Sequence, residues 1–441
     1  MFSRQFAAIP LLFTLACLAG CGDDEGGTHG PGATYTVGGQ LSGLATGDSI
    51  TLRNNGADDL TLTANGSFTF AAAIADGENY DVTVLASPPE HGCTVTNGAG
   101  TIHAAHVDDI AISCTLTPRG LFSPAASLST ARTGHSATLL TNGKVLVVGG
   151  YGGAAASAEL YDPGTNSWSP ASNLITPRSY HSATLLDNGL VLVAGGYDGV
   201  GGFYTASAEL YDPGSNTWSP AGSMTRSHGT HPSTRLLDGK VLVMGGQGGG
   251  AEYAEIYDPG TNAWSQAGTP AAGRVGHTLT LLANGKVLVA GGWYGGPLGS
   301  AELYDPQTNA WSPAGNLTLA HYEHTATLLS TGQVLVAGGW YNMNPTANAE
   351  LYDPGTNAWT PATDMATGLT LHTATALADG RVLMVGGVAE IYNVDSGTWS
   401  MTGSPLVARM YQTVTLLANT KVLVVGGHGN GVEQASTELY W

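Results

Sequence analysis

The amino-acid sequence predicts an all-β protein: a seven-bladed β-propeller preceded by a small disulfide-linked β-sandwich. Three observations carry that expectation. Glycine and proline are abundant, 64 and 21 in 441 residues, without the three-residue period of collagen, so they serve turns between short strands. Seven apolar runs of the Val145-Leu-Val-Val148 kind end in Gly-Gly pairs, beginning at Gly149, Gly195, Gly245, Gly291, Gly338, Gly386 and Gly426. Ahead of them, Cys93 and Cys114 each sit on the apolar side of an alternating strand pattern. With 42% hydrophobic residues the chain can bury sizeable cores. Its net charge of −19, from 33 acids against 14 bases, argues against nucleic acid and against adsorption to an anionic membrane surface.

From the amino terminus, Arg4 supplies a positive charge, and Ala7 to Leu18 is an apolar stretch interrupted by Pro10. It is too short to span a bilayer as a helix and suits a signal peptide, residues 1–20. The stretch ends in Leu18-Ala19-Gly20-Cys21, which resembles the lipobox of bacterial lipoproteins. That resemblance implies cleavage before Cys21 and acylation of its thiol and amino group. The acyl chains would then be the only membrane contact, each buried methylene contributing about 0.8 kcal/mol. Gly22 stands where inner-membrane retention takes Asp, which implies the outer membrane of a bacterial cell envelope. Residues 21–33 are glycine-rich and acidic, too poor in apolar side chains to pack, and read as a flexible tether.

Residues 34–117 hold short alternating runs: Ile50/Leu52, Leu60/Leu62, Phe68/Phe70 and Tyr80/Val82/Val84, punctuated by Gly, Asn and Asp. This is the sandwich, with a spacer as its default role. Cys17 leaves with the signal peptide and Cys21 takes lipid, so Cys93 and Cys114 remain to pair. A disulfide closing a loop of about 20 residues contributes roughly 3 kcal/mol.

Residues 119–441 repeat. After each Gly-Gly comes a Tyr, in the frame Ala-Glu-Leu-Tyr-Asp-Pro or a variant, at Tyr161, Tyr211, Tyr257, Tyr304, Tyr352, Tyr392 and Tyr440. A Trp follows seven residues after the first six, at Trp168, Trp218, Trp264, Trp311, Trp359 and Trp399. Gly-Gly ending the second strand, Tyr in the third and Trp in the fourth resembles the kelch repeat, which implies a kelch-type propeller of the kind at the centre of galactose oxidase. Each Trp precedes the next Gly-Gly by 27 residues, and the same count back from Gly149 reaches Phe122. Phe122-Ser-Pro-Ala mimics Trp168-Ser-Pro-Ala, so strand 119–128 is expected to complete the last blade and leave a closed, monomeric ring.

Between Gly-Gly and Tyr the spacing runs 12, 16, 12, 13, 14, 6 and 14, while every other spacing is constant. Only the loop between strands 2 and 3 varies, and varied loops on a rigid frame are where binding usually lives. They carry Tyr151, Tyr197, Phe203, Tyr204, Tyr253, Trp293, Tyr294, Trp340 and Tyr341, side chains suited to stacking on sugars or touching a protein. Fourteen residues before each Gly-Gly stand His135, His181, His231, His277, His324, His372 and Gln412. Three residues earlier stand Arg132, Arg178, His228, Arg274, His321, Leu369 and Arg409. Both rings are expected around one mouth of the channel, the inner one with the alternative task of bonding a neighbouring blade. Kelch propellers that read acidic peptides place Arg at the inner position, so the resemblance implies a protein or glycan partner, with an anionic one suited to the mouth.

No metal or cofactor is expected. Histidines on opposite blades stand too far from one centre for zinc bonds of about 2 Å. The copper oxidases of this fold use a Cys-linked Tyr, and no Cys follows Cys114; their carboxy-terminal domain has no counterpart either. Catalysis is the alternative to binding, on the resemblance to bacterial kelch propellers that act on sialic acids with a carboxylate and an Arg. Glu323, between His321 and His324, is the candidate acid, and Asp198, Glu252 and Glu433 lie in the variable loops.

Overall fold

The structure, a computed structural model, describes residues 32–44, 48–87, 91–116, 120–199 and 201–441. The signal peptide, Cys21 and nearly all of the tether lie outside the described residues. The chain divides into two compact units, Met1–Pro118 and Arg119–Trp441.

In the first unit, one four-stranded sheet orders Gly66–Thr69, Val37–Ser42, Val107–Leu116 and His91–Thr96. The other orders Asp58–Leu62, Ile50–Asn54, Asn79–Ala86 and Ala99–Thr101. Alternation along these strands sends Val37, Leu41, Ile50, Leu52, Phe68, Tyr80, Val82, Ile110 and Ile112 into one core, the sandwich. Val107–Leu116 runs parallel to Val37–Ser42, and the two backbones come so close that a Cβ added at Gly39 would lie 1.8 Å from the Ile110 carbonyl oxygen. Cys93 and Cys114 stand directly opposite in antiparallel strands and form a disulfide, with Cα atoms 4.1 Å apart. Replacing both by Ser is expected to lower this unit's stability by about 3 kcal/mol. Every Trp lies in the second unit. The change therefore belongs in far-UV circular dichroism under urea and not in Trp fluorescence, and an unmoved midpoint refutes it.

The second unit is seven four-stranded antiparallel sheets. In the first, Ser136–Leu139, Val145–Val148, Ala158–Asp162 and Ser167–Ala171 follow in order from the centre outward. Second strands are wholly buried because each lies between two blades. Val145 and Val147 pack with Leu423 and Val425 of the last blade, while Leu146 and Val148 pack with Val191 and Val193 of the second. Each innermost strand touches the next, and Ser136–Leu139 touches Thr413–Leu416, closing the ring.

The last sheet takes its outer strand from the other end of the propeller sequence. Phe122–Ala125 pairs with Thr437–Tyr440, placing Phe122 opposite Tyr440 as Trp168 stands opposite Tyr161. The ring centroids are 4.9 and 5.1 Å apart in the two pairs. The six fourth-strand indoles also join blades. Trp168 Nε1 donates to the Ala126 carbonyl at 2.7 Å, and Trp218 to that of Ser172 at 2.7 Å, with the same bond repeated at Trp264, Trp311, Trp359 and Trp399. Five outer strands carry a proline, Pro124, Pro170, Pro220, Pro313 and Pro361.

The Gly-Gly pairs are required by geometry. Gly149 and Gly150 have φ of 61° and 107°, and a Cβ on Gly149 would lie 2.4 Å from the Arg178 carbonyl oxygen of the next blade, to which Gly150 N donates at 2.9 Å. The sixth pair, Gly386-Gly387, is outside this pattern, since its short loop to Ile391 turns back at once, Gly386 N donating to Val388 O.

Candidate functional site: the loop face and the channel mouth

The starts of the innermost strands, the Gly-Gly pairs, the 2–3 loops and the loops between blades all lie on one face. The inner histidines stand there as tie points between blades. His181 Nε2 meets Ser136 Oγ of the preceding blade at 2.8 Å, His231 meets Ser182 at 3.0 Å, and His135 meets Thr413 at 2.9 Å across the ring closure. His324 and His372 reach Thr278 and Thr325 in the same way, and Gln412 donates to the Val385 carbonyl at 2.7 Å. All six imidazoles are buried. Burial pulls the pKa of His135 and His277 down to about 3 and that of His372 to about 4, and that of His181, His231 and His324 well below the usual value. The inner ring thus takes the task of bonding neighbouring blades, and its imidazoles stay neutral near pH 5 and add no positive charge to the mouth.

The expected place of the outer ring at the mouth is corrected. Arg132, Arg178 and Arg274 are 0% exposed and Arg409 3%. Each guanidinium points away from the mouth, into its own blade, toward the Glu two residues before the third-strand Tyr. Arg178 donates to the carbonyls of Gly195 at 2.7 Å and Ser207 at 3.0 Å, to Ser207 Oγ at 3.1 Å, and to Glu209 at 2.7 Å. Arg132 pairs with Glu159 at 2.6 Å, Arg274 with Glu302 at 2.9 Å, and Arg409 with Glu438. His228 fills the place in the third blade, with Nδ1 2.7 Å from Gly245 O and Nε2 3.3 Å from Glu255, and His321 in the fifth, with Nδ1 2.6 Å from Gly338 O.

These glutamates also cap the loops between blades. Glu209 accepts from the amides of Ile175 at 2.8 Å and Thr176 at 2.9 Å. For Glu255, burial pushes the carboxyl up, but bonds from His228, Thr225 and Arg226 outweigh it and hold the carboxyl below its usual range. The seven glutamates went unassigned in the sequence, although one precedes every repeat Tyr by two residues.

What faces the mouth is the residue immediately before each inner-ring position: Gly134, Tyr180, Thr230, Gly276, Glu323, Leu371 and Tyr411. All seven have positive φ, between 51° and 65°. Backbone bonds link several of them around the ring, Tyr180 N to Gly134 O at 2.7 Å, Thr230 N to Tyr180 O at 2.8 Å, Glu323 N to Gly276 O at 2.7 Å and Tyr411 N to Leu371 O at 3.2 Å. Tyr180 leans over Gly134, where a Cβ would lie 2.6 Å from its ring, and meets Tyr411 edge to face at 5.8 Å between centroids. Glu323 leans over Gly276, 3.0 Å from the Cβ position, and burial raises its carboxyl pKa.

The 2–3 loops form a collar around this mouth. Phe203 is 71% exposed, Tyr151 53% and Trp293 41%, while Tyr204 and Trp340 are half-buried. Tyr204 packs against Tyr197 at 5.7 Å and bonds Gln247; Trp293 packs against Tyr322 at 5.2 Å; Trp340 is held by a β-bridge to Tyr322. Glu252 accepts from the Tyr294 hydroxyl, and Asp198 caps its own loop at Gly201.

A family model described as the KLHDC2/KLHL20/DRC7 Kelch-repeats domain matches residues 134–339, and a Kelch motif model matches residues 324–366. No curated protein sequence matches the chain. Of 897 solved chains that match, one is described as a novel fungal alcohol oxidase with catalytic diversity among the AA5 family, in complex with copper. It is similar with a TM-score of 0.61 at 20% identity, over 73% of this chain and 76% of that one, a likeness of fold alone. The residues here do not fit a copper centre. Among the described residues no three His, Cys, Asp or Glu converge on one point, and five of the six ring histidines turn Nε2 to a hydroxyl of the neighbouring blade. The repeat frame, the seven sheets and the ring closure together make the second unit of this chain a kelch-type β-propeller.

Proposed function

We propose that the chain is a lipid-anchored protein of the bacterial cell envelope whose propeller presents its loop face to a protein or glycan partner. The collar carries this reading. Phe203, Met343, Tyr151, Tyr294 and Trp293 are large apolar side chains left exposed on one face, around loops that alone vary between repeats. Kelch repeats support an interaction role, and the Leu18 to Cys21 motif supports the anchor.

Two measurements on the full chain in its native envelope test it. Phe203→Ser with Trp293→Ser is expected to abolish crosslinking to the partner while shifting stability by only about 0.5 kcal/mol each, as for other exposed sites. Cys21→Ala is expected to abolish acyl labelling and release the chain from membranes. Unchanged crosslinking removes the collar from the reading, and unchanged labelling removes the anchor.

A sugar-modifying enzyme is the second reading, supported by Glu323, a mouth carboxyl whose pKa burial raises. It lacks the arginine that a sialic-acid reaction of this kind would place beside the acid, because the four ring arginines are spent on buried glutamates. Nuclear magnetic resonance of sialic-acid anomer exchange, with Glu323→Gln as the comparison, decides it.

A further inference from the structure

The distribution of unpaired charge on the loop face runs opposite to that expected of an anion site. Every lysine of the propeller follows a turn on the far face. Lys144, Lys240 and Lys286 pair there with Asp162, Asp258 and Asp305, and Lys421 lies over Trp441. Arg381 pairs with Asp379 on that side as well. The four ring arginines are buried against glutamates. Among the described residues the one exposed arginine or lysine on the loop face is Arg226, and its guanidinium is already seated 4.7 Å over the Tyr253 ring.

Two carboxylates on this face lack such partners. Neither Glu323 nor Glu433 makes a side-chain hydrogen bond or ion pair with another described residue. They flank the Tyr180–Tyr411 pair. The Tyr411 hydroxyl has its pKa raised by burial and then by Glu323, and that of Tyr180 by burial, then by Tyr151, Tyr204 and Glu433, so these side chains form one neighbourhood. Glu433 packs on Gly152, its Cγ 3.1 Å from the Cβ position, in the loop that carries Tyr151.

Aromatic faces attract cations through the ring quadrupole, and a carboxylate beside them adds direct charge. An anion entering the same space would meet two carboxylates and no open base. Resting on the binding reading above, we propose that the mouth bounded by Tyr180, Tyr411, Glu323 and Glu433 receives a lysine or arginine side chain of a partner protein. The collar points to a protein as the source of the cation, because a free amine small enough for the mouth would leave Phe203, Tyr151 and Trp293 uncovered.

Isothermal titration of the full chain at about 0.15 M salt, where the Debye length is about 8 Å, with a hexalysine peptide, a hexaglutamate peptide and tetramethylammonium tests the proposal. Hexalysine is expected to bind and hexaglutamate to give no heat. Glu323→Gln with Glu433→Gln is expected to weaken hexalysine by about tenfold or more, as for loss of close charge pairs. Asp395→Asn removes a charge on the far face and is expected to leave hexalysine within about twofold, since exposed charges beyond a Debye length are screened. Thermal melts of the Gln variants check that the fold is kept.

Equal weakening by the far-face and mouth variants, binding of hexaglutamate, or no binding of hexalysine overturns the proposal. Tetramethylammonium binding as tight as hexalysine overturns the assignment to a protein side chain. If the collar variants abolish crosslinking while hexalysine does not bind, the binding face stands and the cation site falls. If hexalysine binds through Glu323 and Glu433 while the collar variants change nothing, the mouth site stands and the collar falls.

Discussion

Replacing Arg178 by Ala is expected to lower the stability of the propeller by about 3–5 kcal/mol, the range for removing one partner of a buried ion pair. The side chain is wholly buried, and its loss strands Glu209 together with the carbonyls of Gly195 and Ser207. Lysine does not rescue it, because a single ammonium cannot serve acceptors spread over the reach of a planar fork. The sixth blade shows the lower limit of the effect. There Leu369 occupies the ring place, and Glu390 is held by the amides of Ala366 at 2.8 Å and Thr367 at 2.9 Å alone. Arg178→Leu is therefore expected to cost less than Arg178→Ala, since it leaves no void. Urea denaturation followed by Trp fluorescence reads both variants, and a loss under about 1 kcal/mol for Ala would show that the pair holds nothing.

Acidification from pH 7 to pH 5 is expected to weaken the propeller steeply, before most carboxylates titrate. In the unfolded chain each ring histidine takes a proton near pH 6.5; in the folded ring His135 and His277 do so only at about 3 and His372 at about 4. The unfolded state thus binds more protons, and stability falls as pH falls. The contribution is complete above pH 6.5 and is lost progressively down to pH 3–4. Each histidine costs about 1.4 kcal/mol per pH unit in that window, or about 2 kcal/mol by pH 5. For His135, His277 and His372 together this amounts to roughly 6 kcal/mol, and His181, His231 and His324, whose pKa burial also holds well below the usual value, act in the same direction. His372→Gln copies the residue that the seventh blade already uses, Gln412 bonded to Val385 O, and is expected to remove one sixth of the slope. A melting temperature unchanged between pH 7 and pH 5 refutes the account.

The architecture was legible because it is periodic. Gly-Gly, Tyr and Trp recur at constant offsets, and the offset that landed on Phe122 found a pairing that spans the entire propeller, with Tyr440 across from it. Cys93 and Cys114 were legible from strand alternation. Side-chain direction was not. Arg178 begins a strand at the mouth end of its blade, and nothing in its spacing distinguishes a guanidinium turned toward the channel from one turned into the sheet. Its partner was nevertheless on view as the Glu before each repeat Tyr, an acid placed where a buried strand has no use for one unless it is paired. The mouth itself is lined by the position just before each inner-ring residue, where the repeats disagree: Gly, Tyr, Thr, Gly, Glu, Leu and Tyr in turn. Disagreement inside a constant frame was the missed signal, and of the seven residues only Glu323 attracted notice, for its charge.

Closing the last blade with the first strand has a consequence for synthesis. Phe122–Ala125 emerges from the ribosome hundreds of residues before Thr437–Tyr440 exists, and at about 5–20 residues per second it waits tens of seconds without its partner. During that interval it is an apolar strand with open amides and carbonyls, the kind of segment that pairs with another copy of itself. Pro124, set opposite Glu438 in the finished sheet, removes one ladder donor from the middle of that strand and makes it a poor template for pairing between chains. Pro170, Pro220, Pro313 and Pro361 do the same for the outer edges that stay open after the ring has closed, so the residue that keeps the nascent chain from aggregating also keeps the finished propeller from stacking edge to edge.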